Sequence, residues 1–531
     1  MFKINVTFVI LNFSMCIDKF SVMAAALWLT LPAMAQVPAS APYSPSWQAR
    51  HHLQWLSDHA GLQLTTSHWP LPTAAVEQAL TRLPRQQPDA IAQQVAWARE
   101  EVLRELRDRQ EGWRLRAQAR SRVEALHGFD DNYTPGSSVQ LESEEWRWGQ
   151  AADGVTAAVR VGGRAELSPN SLQTRFSGHG TEGHVQLRPD GSAAVVGVEG
   201  WNVQAFSQRH WWGPGWQSSL VNGHNNPSWT GVGLQRGSVA ASDSAWLSWM
   251  GPWNLDVFVA KAQDPQVVSQ QPSGFLFSGM RLTMKPQPWL ELGFSRGLQT
   301  GGAGRPSGAS NFVKAFFGQE LNKNATDSFV DSSGQIAGYD LRLSCPKAWG
   351  EWLGSCAAYT QWMGEDAAGK LPLPYKFMSL WGVESSFGQG RYRVFAEWAN
   401  TNVYSLPWDS KSPFPGYVNG VYTQGYTQGA RWVGSSQGSG SKVMTLGWMD
   451  AENLRVFKIH AGRIQTSMGA YDPRVTAPHG GMWAFNAAQT LAFKSLSLTP
   501  ELAYTHWSRS AVQGSAVRKN LRASVMVDVS F

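Results

Sequence analysis

The 531-residue sequence lacks long hydrophobic runs beyond its N-terminus and carries little charge. No stretch after residue 35 holds eighteen consecutive apolar residues, which excludes a transmembrane helix there. Charged residues make up only 16 %, which is low for a soluble surface but suits one that largely faces lipid. The composition therefore points away from both a helical membrane protein and an ordinary soluble domain.

Motifs of phosphate-binding and nucleic-acid-binding sites are also missing. Gly302-Ala303-Gly304 lies in a Gly/Ser-rich run in which no following helix is predicted, so we expect no phosphate-binding loop there. The net charge of +6 comes without a Lys/Arg cluster on a nucleic-acid motif, and it favours an acidic partner such as an anionic glycan or lipopolysaccharide. The twelve histidines are scattered, and we interpret His51 and His52 as solvated. We therefore expect no nucleic acid, no cofactor and no metal.

Cysteine is scarce, with three residues in the chain. Cys16 lies in an N-terminal export signal, which leaves Cys345 and Cys356 as an even pair. In an exported protein such a pair predicts a disulfide, here one that closes the connection over residues 346–355. A zinc site is disfavoured because no histidine or second cysteine pair lies nearby at ligand spacing.

The export signal consists of Lys19, the apolar run Phe20–Leu31 and the run Ala33-Met34-Ala35, with cleavage expected after Ala35. The sequence then divides into three parts. These are a signal peptide (1–35), a periplasmic linker and helical region (36–112), and a strand-rich remainder (113–531).

The helical region contains three predicted helices. Ser46 is suited to cap a helix that ends near His59, and Thr73 is suited to cap a short helix over 74–83. Asp89 is suited to cap a longer helix with one apolar face. The residues of that face are Ile91, Val95, Val102 and Leu106.

The last fifteen residues have the pattern of an amphipathic strand that ends on an aromatic residue. Alternate positions from Leu521 to Phe531 are apolar, and the positions between them, from Arg518 to Ser530, are mostly polar or charged. A soluble protein rarely leaves such a strand as a bare terminus, because its unpaired edge invites association. In an outer-membrane barrel the last strand pairs with the first, its apolar face toward lipid and its polar face toward the lumen.

The same pattern recurs from residue 139 onward, in about eighteen to twenty segments of roughly ten residues. Two long loops are predicted at 300–334 and 402–423, and residues 113–127 are ambiguous between helix and strand. Trp246–Met250 and Trp253–Ala260 are predicted to form a hairpin around Gly251-Pro252. The other predicted strands are Val155–Leu167, Phe275–Lys285, Trp289–Gly297, Gly338–Ser344, 356–364, 377–387, 391–400, 424–433, 441–450, 454–464, 482–493 and 496–508.

These patterns predict an all-β membrane protein, an antiparallel transmembrane β-barrel with a small helical region ahead of it. The 27 Trp and 12 Tyr residues fit membrane interfaces, where rings with one polar edge concentrate. A soluble β-propeller or β-sandwich is the alternative. It explains the strands and the tryptophans but not the long strands with one charged face, nor the terminal Phe531.

The densest motif is Arg209-His210-Trp211-Trp212-Gly213-Pro214-Gly215-Trp216, followed by Asn222, Asn225 and Asn226. We name residues 209–226 the Trp-rich segment. Aromatic faces stack on sugar rings while amide and guanidinium groups bond hydroxyls, so the segment is a candidate polysaccharide site. In the alternative, which we favour, the Gly-Pro-Gly run forces a turn and the tryptophans anchor an inward plug.

Charged residues on the predicted strands form a second candidate group: Asp340 and Arg342, Glu365 and Asp366, and Arg393 and Glu397. Paired carboxylates are the catalytic groups of glycosidases, so an enzyme acting on glycan or lipid is one alternative. Charges that line a barrel more often pair with one another. We therefore expect a charge network in the lumen and no enzyme activity.

Several runs of the sequence resemble the Wzi family of outer-membrane capsule-assembly proteins. They are residues 209–216, 335–342, 359–366 with its continuation to Pro372, and 395–401. Their order is kept, and the resemblance extends from the helical region to Phe531. Two positions depart from the family pattern: His210, where an acidic or other residue often stands, and Gly434-Ser435, in place of Gly-His.

The resemblance implies an eighteen-stranded barrel with an occluded lumen and a periplasmic helical bundle, in the outer membrane of a Gram-negative cell. It implies a lectin-like protein that attaches capsular polysaccharide or exopolysaccharide to the cell surface. It also favours residues 113–127 as the first strand. The alternative function is a porin-like channel for sugars or polysaccharide, which needs a more open lumen. We expect a monomer that contacts outer-membrane lipid and lipopolysaccharide.

Overall fold

The computed structural model describes most of the chain from residue 37 onward. The predicted signal peptide (1–35) and the Glu365-Asp366 pair lie outside the described residues. The described ranges are 37–84, 86–121, 126–130, 136–150, 154–168, 184–262, 274–317, 333–346, 354–364, 367–368, 371–374, 376–405, 414–418, 422, 425–429, 431–464, 480–508 and 519–531.

Three helices precede the first long strands. They are α1 (Trp47–His59), α2 (Thr73–Thr81) and α3 (Asp89–Gln110). Ser46 caps α1 as predicted, since its side chain accepts a hydrogen bond from the backbone N–H of Ala49. The predicted caps Thr73 and Asp89 are wrong, because prolines occupy both cap positions and each residue begins its helix. The Thr73 hydroxyl instead donates to the carbonyl of Ala41 at 2.6 Å.

The predicted apolar face of α3 is confirmed, with Val95, Val102 and Leu106 buried. The interpretation of His51 and His52 as solvated is wrong, because both side chains are fully buried. α1 packs against α3 and also contacts the sheet, so little of its surface is left to water. None of the helices in the described ranges is long and apolar enough to cross a membrane.

Strands follow along nearly all of the remaining chain. In chain order they are β1 Pro42–Tyr43, β2 His68–Trp69, β3 Leu71–Pro72, β4 Arg114–Arg120, β5 Ser137–Glu142, β6 Trp146–Trp148, β7 Val155–Arg160, β8 Gly162–Ser168, β9 His184–Arg188, β10 Ala193–Val198, β11 Trp201–Gln208, β12 Trp211–Trp212, β13 Trp229–Arg236, β14 Trp253–Lys261 and β15 Leu276–Gln287. They continue with β16 Leu290–Thr300, β17 Ser333–Ser344, β18 Ser355–Gly364, β19 Ala367–Ala368, β20 Leu371–Pro374, β21 Lys376–Phe387, β22 Tyr392–Ser405, β23 Phe414–Pro415, β24 Thr427–Gln428, β25 Arg431–Trp432, β26 Lys442–Asp450, β27 Arg455–Ile464, β28 Gly480–Gln489, β29 Leu491–Phe493, β30 Leu496–Trp507 and β31 Lys519–Ser530.

In the described part of the chain, 23 strands belong to one antiparallel sheet. Its long strands pair with their neighbours along the chain, for example β14 with β15 and β15 with β16. The last strand, β31, pairs with β4, so residues 113–127 contain a strand, as the resemblance favours. Short β-strands outside this sheet form separate two-stranded pairs.

The two faces of the sheet differ in chemistry. On β31 the apolar Leu521 and Val525 are exposed, whereas the polar Arg522 and Asp528, which belong to the other face of the strand, are buried. β17 repeats this arrangement, since Asp340 is buried while its neighbours lie on the other face. A sheet that covers its charges and exposes its apolar side chains is the reverse of a soluble sandwich and fits a lipid environment.

Three local predictions fail. Trp246–Met250 is not a strand but ends in a 3-10 turn, so β14 pairs with β13 and β15 instead. In the predicted strand 424–433 the described residues form two short paired strands, β24 and β25, and Gly429 has a positive φ of 56°. The predicted loop 300–334 contains a helix, α4 (Ala309–Phe316). Alternating apolar residues alone did not distinguish these turns from strands.

The predicted disulfide is present. It joins Cys345 and Cys356, whose Cα atoms are 5.2 Å apart, between β17 and β18.

Candidate functional site

The Trp-rich segment lies on the polar face of the sheet and is almost completely enclosed. Trp211, Trp212 and Trp216 are at most 1 % exposed, and Asn222 is 1 % exposed. Trp211 and Trp212 form β12, which pairs with Trp69 and His68 of the segment after α1. In this position the tryptophan rings pack against protein and leave no open face for a sugar.

One carboxylate of the sheet holds the turn of this segment. Glu397 on β22 accepts hydrogen bonds from three consecutive backbone N–H groups, those of Trp216, Gln217 and Ser218. The Gln217 and Ser218 contacts measure 3.0 and 3.1 Å, and the hydroxyl of Tyr359 donates to the same carboxylate at 2.9 Å. An anion that accepts several backbone donors fixes the path of the chain more firmly than a single side-chain contact.

A second inward side chain holds the segment from β18. The amide of Gln361 donates to the carbonyl of Trp212 at 2.7 Å and accepts from the N–H of Leu220 at 2.8 Å. The same Leu220 offers its carbonyl to the hydroxyl of Tyr417 at 2.9 Å. Both ends of the turn are therefore tied to side chains from distant parts of the chain.

Helix α1 holds the segment from the other side. The guanidinium of Arg50 donates to the carbonyls of Pro214 and Gly215, both at 2.9 Å. It also lies 4.3 Å from the ring centre of Phe129 and 4.2 Å from that of Trp216. Burial lowers the pKa of Arg50 to about 9, so the side chain still carries its charge at neutral pH.

Glu384 on β21 is the centre of a buried charge network. Its carboxylate accepts hydrogen bonds from Arg342 at 2.8 Å, from Arg393, and from the indole N–H of Trp216 at 2.7 Å. Gln54 of α1 adds a further donor at 2.5 Å. The network therefore connects the sheet, the helix and the Trp-rich segment through one acidic side chain.

Two arms of this network reach α1. Arg342 donates to both oxygens of Asp58, at 2.8 and 2.7 Å. Arg393 donates to Nδ1 of His51 at 2.8 Å, so the proton of this ring lies on Nε2, which is 2.6 Å from the carbonyl of Gly390. Burial and the charge of Arg393 hold the pKa of His51 well below its usual range, which keeps the imidazole neutral.

The described members of the predicted charge network are buried on the polar face and pair with residues other than their neighbours in sequence; they are Asp340, Arg342, Arg393 and Glu397. Asp340 pairs with Arg281 at 2.7 Å, and Glu397 binds backbone N–H groups instead of Arg393. Residues two apart on a strand are roughly 6.6 Å apart, whereas a side chain from an adjacent strand comes closer. Cross-strand partners therefore replace those suggested by spacing along one strand.

His210 lies in a buried polar pocket beside the segment. Its ring stacks on Phe258 with centroids 4.3 Å apart, and its Nε2 is 3.6 Å from the carboxylate of Asp256. His68 approaches the same carboxylate at 3.5 Å. Burial lowers the pKa of His210 to about 4, so both its neutral form and its position match a packing role. Among the described residues, no group of three or more His, Cys, Asp or Glu side chains is arranged to hold a metal ion.

Asn225 and Asn226 are buried at the far end of the segment. Asn225 donates to the carbonyl of Trp432 at 3.0 Å, and Asn226 donates to Gln428 at 2.8 Å. Their amides are therefore engaged by the segment around β24 and β25. Arg209, at the start of the Trp-rich segment, instead lines a cavity next to it.

Gly213 permits the close approach of Gln361, and its replacement gives a direct test of how tightly the segment is held. Gly213 has a φ of 153°, and a Cβ at this position would lie 2.8 Å from the amide of Gln361. We expect Gly213→Ala to displace that amide and to lower the free energy of unfolding by about 1–3 kcal/mol. The measurement is the midpoint of thermal unfolding, read from the change in mobility on SDS gels that unfolding causes.

Gly163→Ala is the matched control, since a Cβ there meets no atom within 4 Å. Equal midpoints for the two variants would contradict the tight fit at Gly213.

Sequence reasoning missed several of the residues that position the segment, including Arg50, Glu384 and Arg281. Glu384 was visible only as a lone acidic residue at an inward position of a strand. The sequence predicted the helix that contains Arg50, but it did not predict which groups Arg50 contacts. Gln361, in contrast, belongs to one of the runs that resemble the Wzi family.

Comparisons with known proteins agree on one family. The model of the family "Capsule assembly protein Wzi" matches residues 108–452. An "Uncharacterized 55.8 kDa protein in cps region" of Klebsiella pneumoniae is 30 % identical over 389 residues, which cover 72 % of this chain and 69 % of that protein.

The fold has a counterpart among solved structures. Wzi of Escherichia coli, described as an outer membrane protein involved in group 1 capsule assembly and a carbohydrate-binding β-barrel, superposes with a TM-score of 0.69. The two chains are 21 % identical, and the match covers 93 % of this chain and 100 % of the other. This protein therefore belongs to the Wzi family of capsule assembly proteins and is an outer-membrane protein.

Proposed function

We propose that this protein is a lectin-like component of the outer membrane that attaches capsular polysaccharide or exopolysaccharide to the cell surface. The observation that carries the proposal is the Trp-rich segment, which Glu397, Gln361 and Arg50 hold across the polar face of the sheet. A filled interior suits a protein that binds polysaccharide on its outside better than one that conducts it. The carbohydrate binding of the similar Escherichia coli protein supports the same function.

The proposed architecture is a closed barrel of eighteen strands. The pairs β5 with β6, β7 with β8, and β9 with β10 each act as one interrupted strand in this arrangement. β29 extends β28, and β23 is a short addition to β22. Counted in this way, eighteen strands follow one another from β4 to β31, and β31 lies beside β4.

Residues 36–112 are proposed to lie on the periplasmic side, at the end of the barrel where β4 begins and β31 ends. Residues 1–35 are proposed to be the signal that directs export. The apolar outer face of the sheet is proposed to contact outer-membrane lipid and lipopolysaccharide. The protein is proposed to be a monomer.

A deletion strain provides the functional test. We expect loss of the gene to reduce cell-bound polysaccharide while secreted polysaccharide is maintained, and a plasmid copy to restore retention. Unchanged retention in the deletion strain would contradict the proposal. A glycan array with the purified protein would then identify the sugar.

The channel alternative is tested separately. Purified protein in planar bilayers is expected to give little steady conductance. Large steady currents would contradict an occluded lumen and favour a porin. Degradation of capsular glycan by the purified protein would favour the enzyme alternative instead.

A further inference from the structure

A polar cavity remains beside the Trp-rich segment, between the start of α1 and the strands around β4 and β31. Its volume is about 280 Å³. Six arginines contribute to its lining: Arg109, Arg114, Arg116, Arg160, Arg164 and Arg209. A smaller cavity of about 80 Å³ lies alongside and shares Trp47 and Thr499 with it. The two volumes together suit a small ligand, at the lower end of the roughly 300–1,000 Å³ that ligand pockets span.

The lining residues carry more positive than negative charge, and two of the arginines, Arg109 and Arg164, pair with Glu105 and Glu166 outside the lining. Four carboxylates face the six arginines: Asp130, Glu142, Asp190 and Asp528. Asp528 is shared, because Arg116 donates to it at 2.7 Å and Arg114 binds the same carboxylate at 2.6 Å. One carboxylate thus serves two guanidinium groups, and both arginines keep about a fifth of their side-chain surface exposed, 20 % for Arg114 and 22 % for Arg116. An additional anion would complete the charge balance at this place.

The remaining lining has the features of a sugar site. Ser44 and Thr490 carry hydroxyl groups at the lining, and such groups bond sugar hydroxyls. The amide nitrogen of Gln48, also at the lining, donates to the carbonyl of Ala451 at 2.9 Å. Trp47, which is only partly buried, adds aromatic surface on which a pyranose ring can stack. A ring that carries both hydroxyls and a carboxylate matches these groups together better than a bare inorganic anion does.

We propose that this cavity binds a carboxylate-bearing sugar, a hexuronate unit, with its carboxylate at Arg114 and Arg116. The choice of a saccharide rests on the proposed function, whereas the anionic preference rests on Arg114 and Arg116, which share the single carboxylate of Asp528. The site lies inside the barrel, next to α1, and is separate from any surface that holds polysaccharide outside the cell.

Calorimetry with the mature protein in detergent micelles tests the site. The probes are methyl glucuronide and its neutral counterpart, methyl glucoside. We expect the glucuronide to bind at least tenfold more tightly, since a hydrogen bond to a charged group is stronger than one between neutral groups. Arg116→Gln is expected to weaken glucuronide binding about tenfold, whereas Asp528→Asn is expected to strengthen it because it frees two guanidinium groups.

Arg116→Gln leaves Asp528 paired with Arg114, so the variant keeps a charge partner at the β31–β4 contact. Arg391→Gln is the control, because this arginine pairs with Asp450 and Glu452, none of which lines the cavity. We expect it to bind as the wild type does. Heat-modifiable mobility verifies that each variant is folded. Asp528→Asn tests the site independently of Arg116→Gln, because it is expected to strengthen glucuronide binding instead of weakening it.

Equal binding of glucuronide and glucoside, or full binding by Arg116→Gln, would overturn the proposal. Inorganic phosphate that competes as well as glucuronide would overturn the assignment to a sugar. Polysaccharide retention in the deletion strain separates this outcome from the proposed function. A wild type that restores retention but does not bind glucuronide contradicts the cavity site alone.

Discussion

Replacing Glu397 by alanine is expected to loosen the Trp-rich segment and raise the conductance of the barrel. The change removes the acceptor for three backbone N–H groups, those of Trp216, Gln217 and Ser218, and for the Tyr359 hydroxyl. Each buried donor left without a partner costs about 1–3 kcal/mol, and water that enters the site recovers only part of this. The total loss of stability is therefore several kcal/mol, the largest effect that we expect from a single substitution.

Two measurements check this expectation. The midpoint of thermal unfolding, read from mobility on SDS gels, reports the stability of the barrel. Planar-bilayer recordings report the lumen, and we expect Glu397→Ala to show openings that are absent from the wild type. Glu501→Ala is the matched control, because that inward glutamate bonds only Arg522 and Ser524 among the contacts described for it and touches no part of the Trp-rich segment.

A stable Glu397→Ala variant with wild-type conductance would show that other contacts hold the segment. An increase in conductance for Glu501→Ala of the same size would mean that any lost inward charge opens the lumen. Either outcome would contradict the prediction that Glu397 in particular holds the Trp-rich segment in place.

The period-two pattern made the sheet predictable. Strands such as β18, β27 and β30 lie within one residue of their predicted bounds, because one apolar and one polar face leave a clear signal in each. The last fifteen residues predicted that the last strand pairs with the first, and the family resemblance favoured residues 113–127 as that first strand; β31 does pair with β4. Turns were harder to predict. Trp246–Met250 has the alternating pattern of a strand, but it ends in a 3-10 turn just before Gly251 and Pro252.

The contacts inside the sheet could not be predicted in the same way. Arg342 bonds Asp58 across 284 positions of the sequence, and Arg393 bonds His51 across 342. A strand pattern shows that a charge points inward, but only the packed helix shows which partner meets it. For the same reason the sequence predicted His51 and His52 to be solvated residues of the helical region, although both are buried in the structure.

The inward carboxylates follow a common principle. Glu291 on β16 accepts the N–H groups of Thr66 and Ser67, at 2.9 and 2.8 Å, just as Glu397 accepts those of the Trp-rich segment. In both places an acid from the sheet binds the backbone of an inserted segment. These acids therefore hold segments of polypeptide against the polar face of the sheet, which explains why they are buried.

Replacing His52 by leucine is expected to make the protein more resistant to acid. The His52 side chain is fully buried, and within the described residues neither ring nitrogen has a hydrogen-bond partner. Its ring instead contacts those of Trp97 and His51, with centroids 4.6 and 5.3 Å apart. Burial, together with the charge of Arg393, lowers the pKa of His52 to about 3.

The direction of the pH effect follows from proton binding. In the unfolded chain the imidazole takes up a proton below about pH 6.5, whereas in the folded protein it stays neutral down to about pH 3. Unfolding therefore binds a proton over this interval, and each unit of falling pH costs the wild type about 1.4 kcal/mol. The contribution is fully present above pH 6.5 and is lost progressively as the pH falls, which His52→Leu prevents.

Urea unfolding in detergent, followed by tryptophan fluorescence between pH 7.5 and 4, measures the effect. The difference between His52→Leu and the wild type should be small at pH 7.5 and reach about 2 kcal/mol at pH 5. Gln63→Leu, an exposed and non-titrating position in the loop after α1, is expected to give a difference that does not change with pH. A His52→Leu difference that is constant with pH would mean that the folded protein accommodates the protonated ring. Because α1 also carries His51, Gln54 and Asp58 of the charge network, this would require α1 to move away from the sheet in acid.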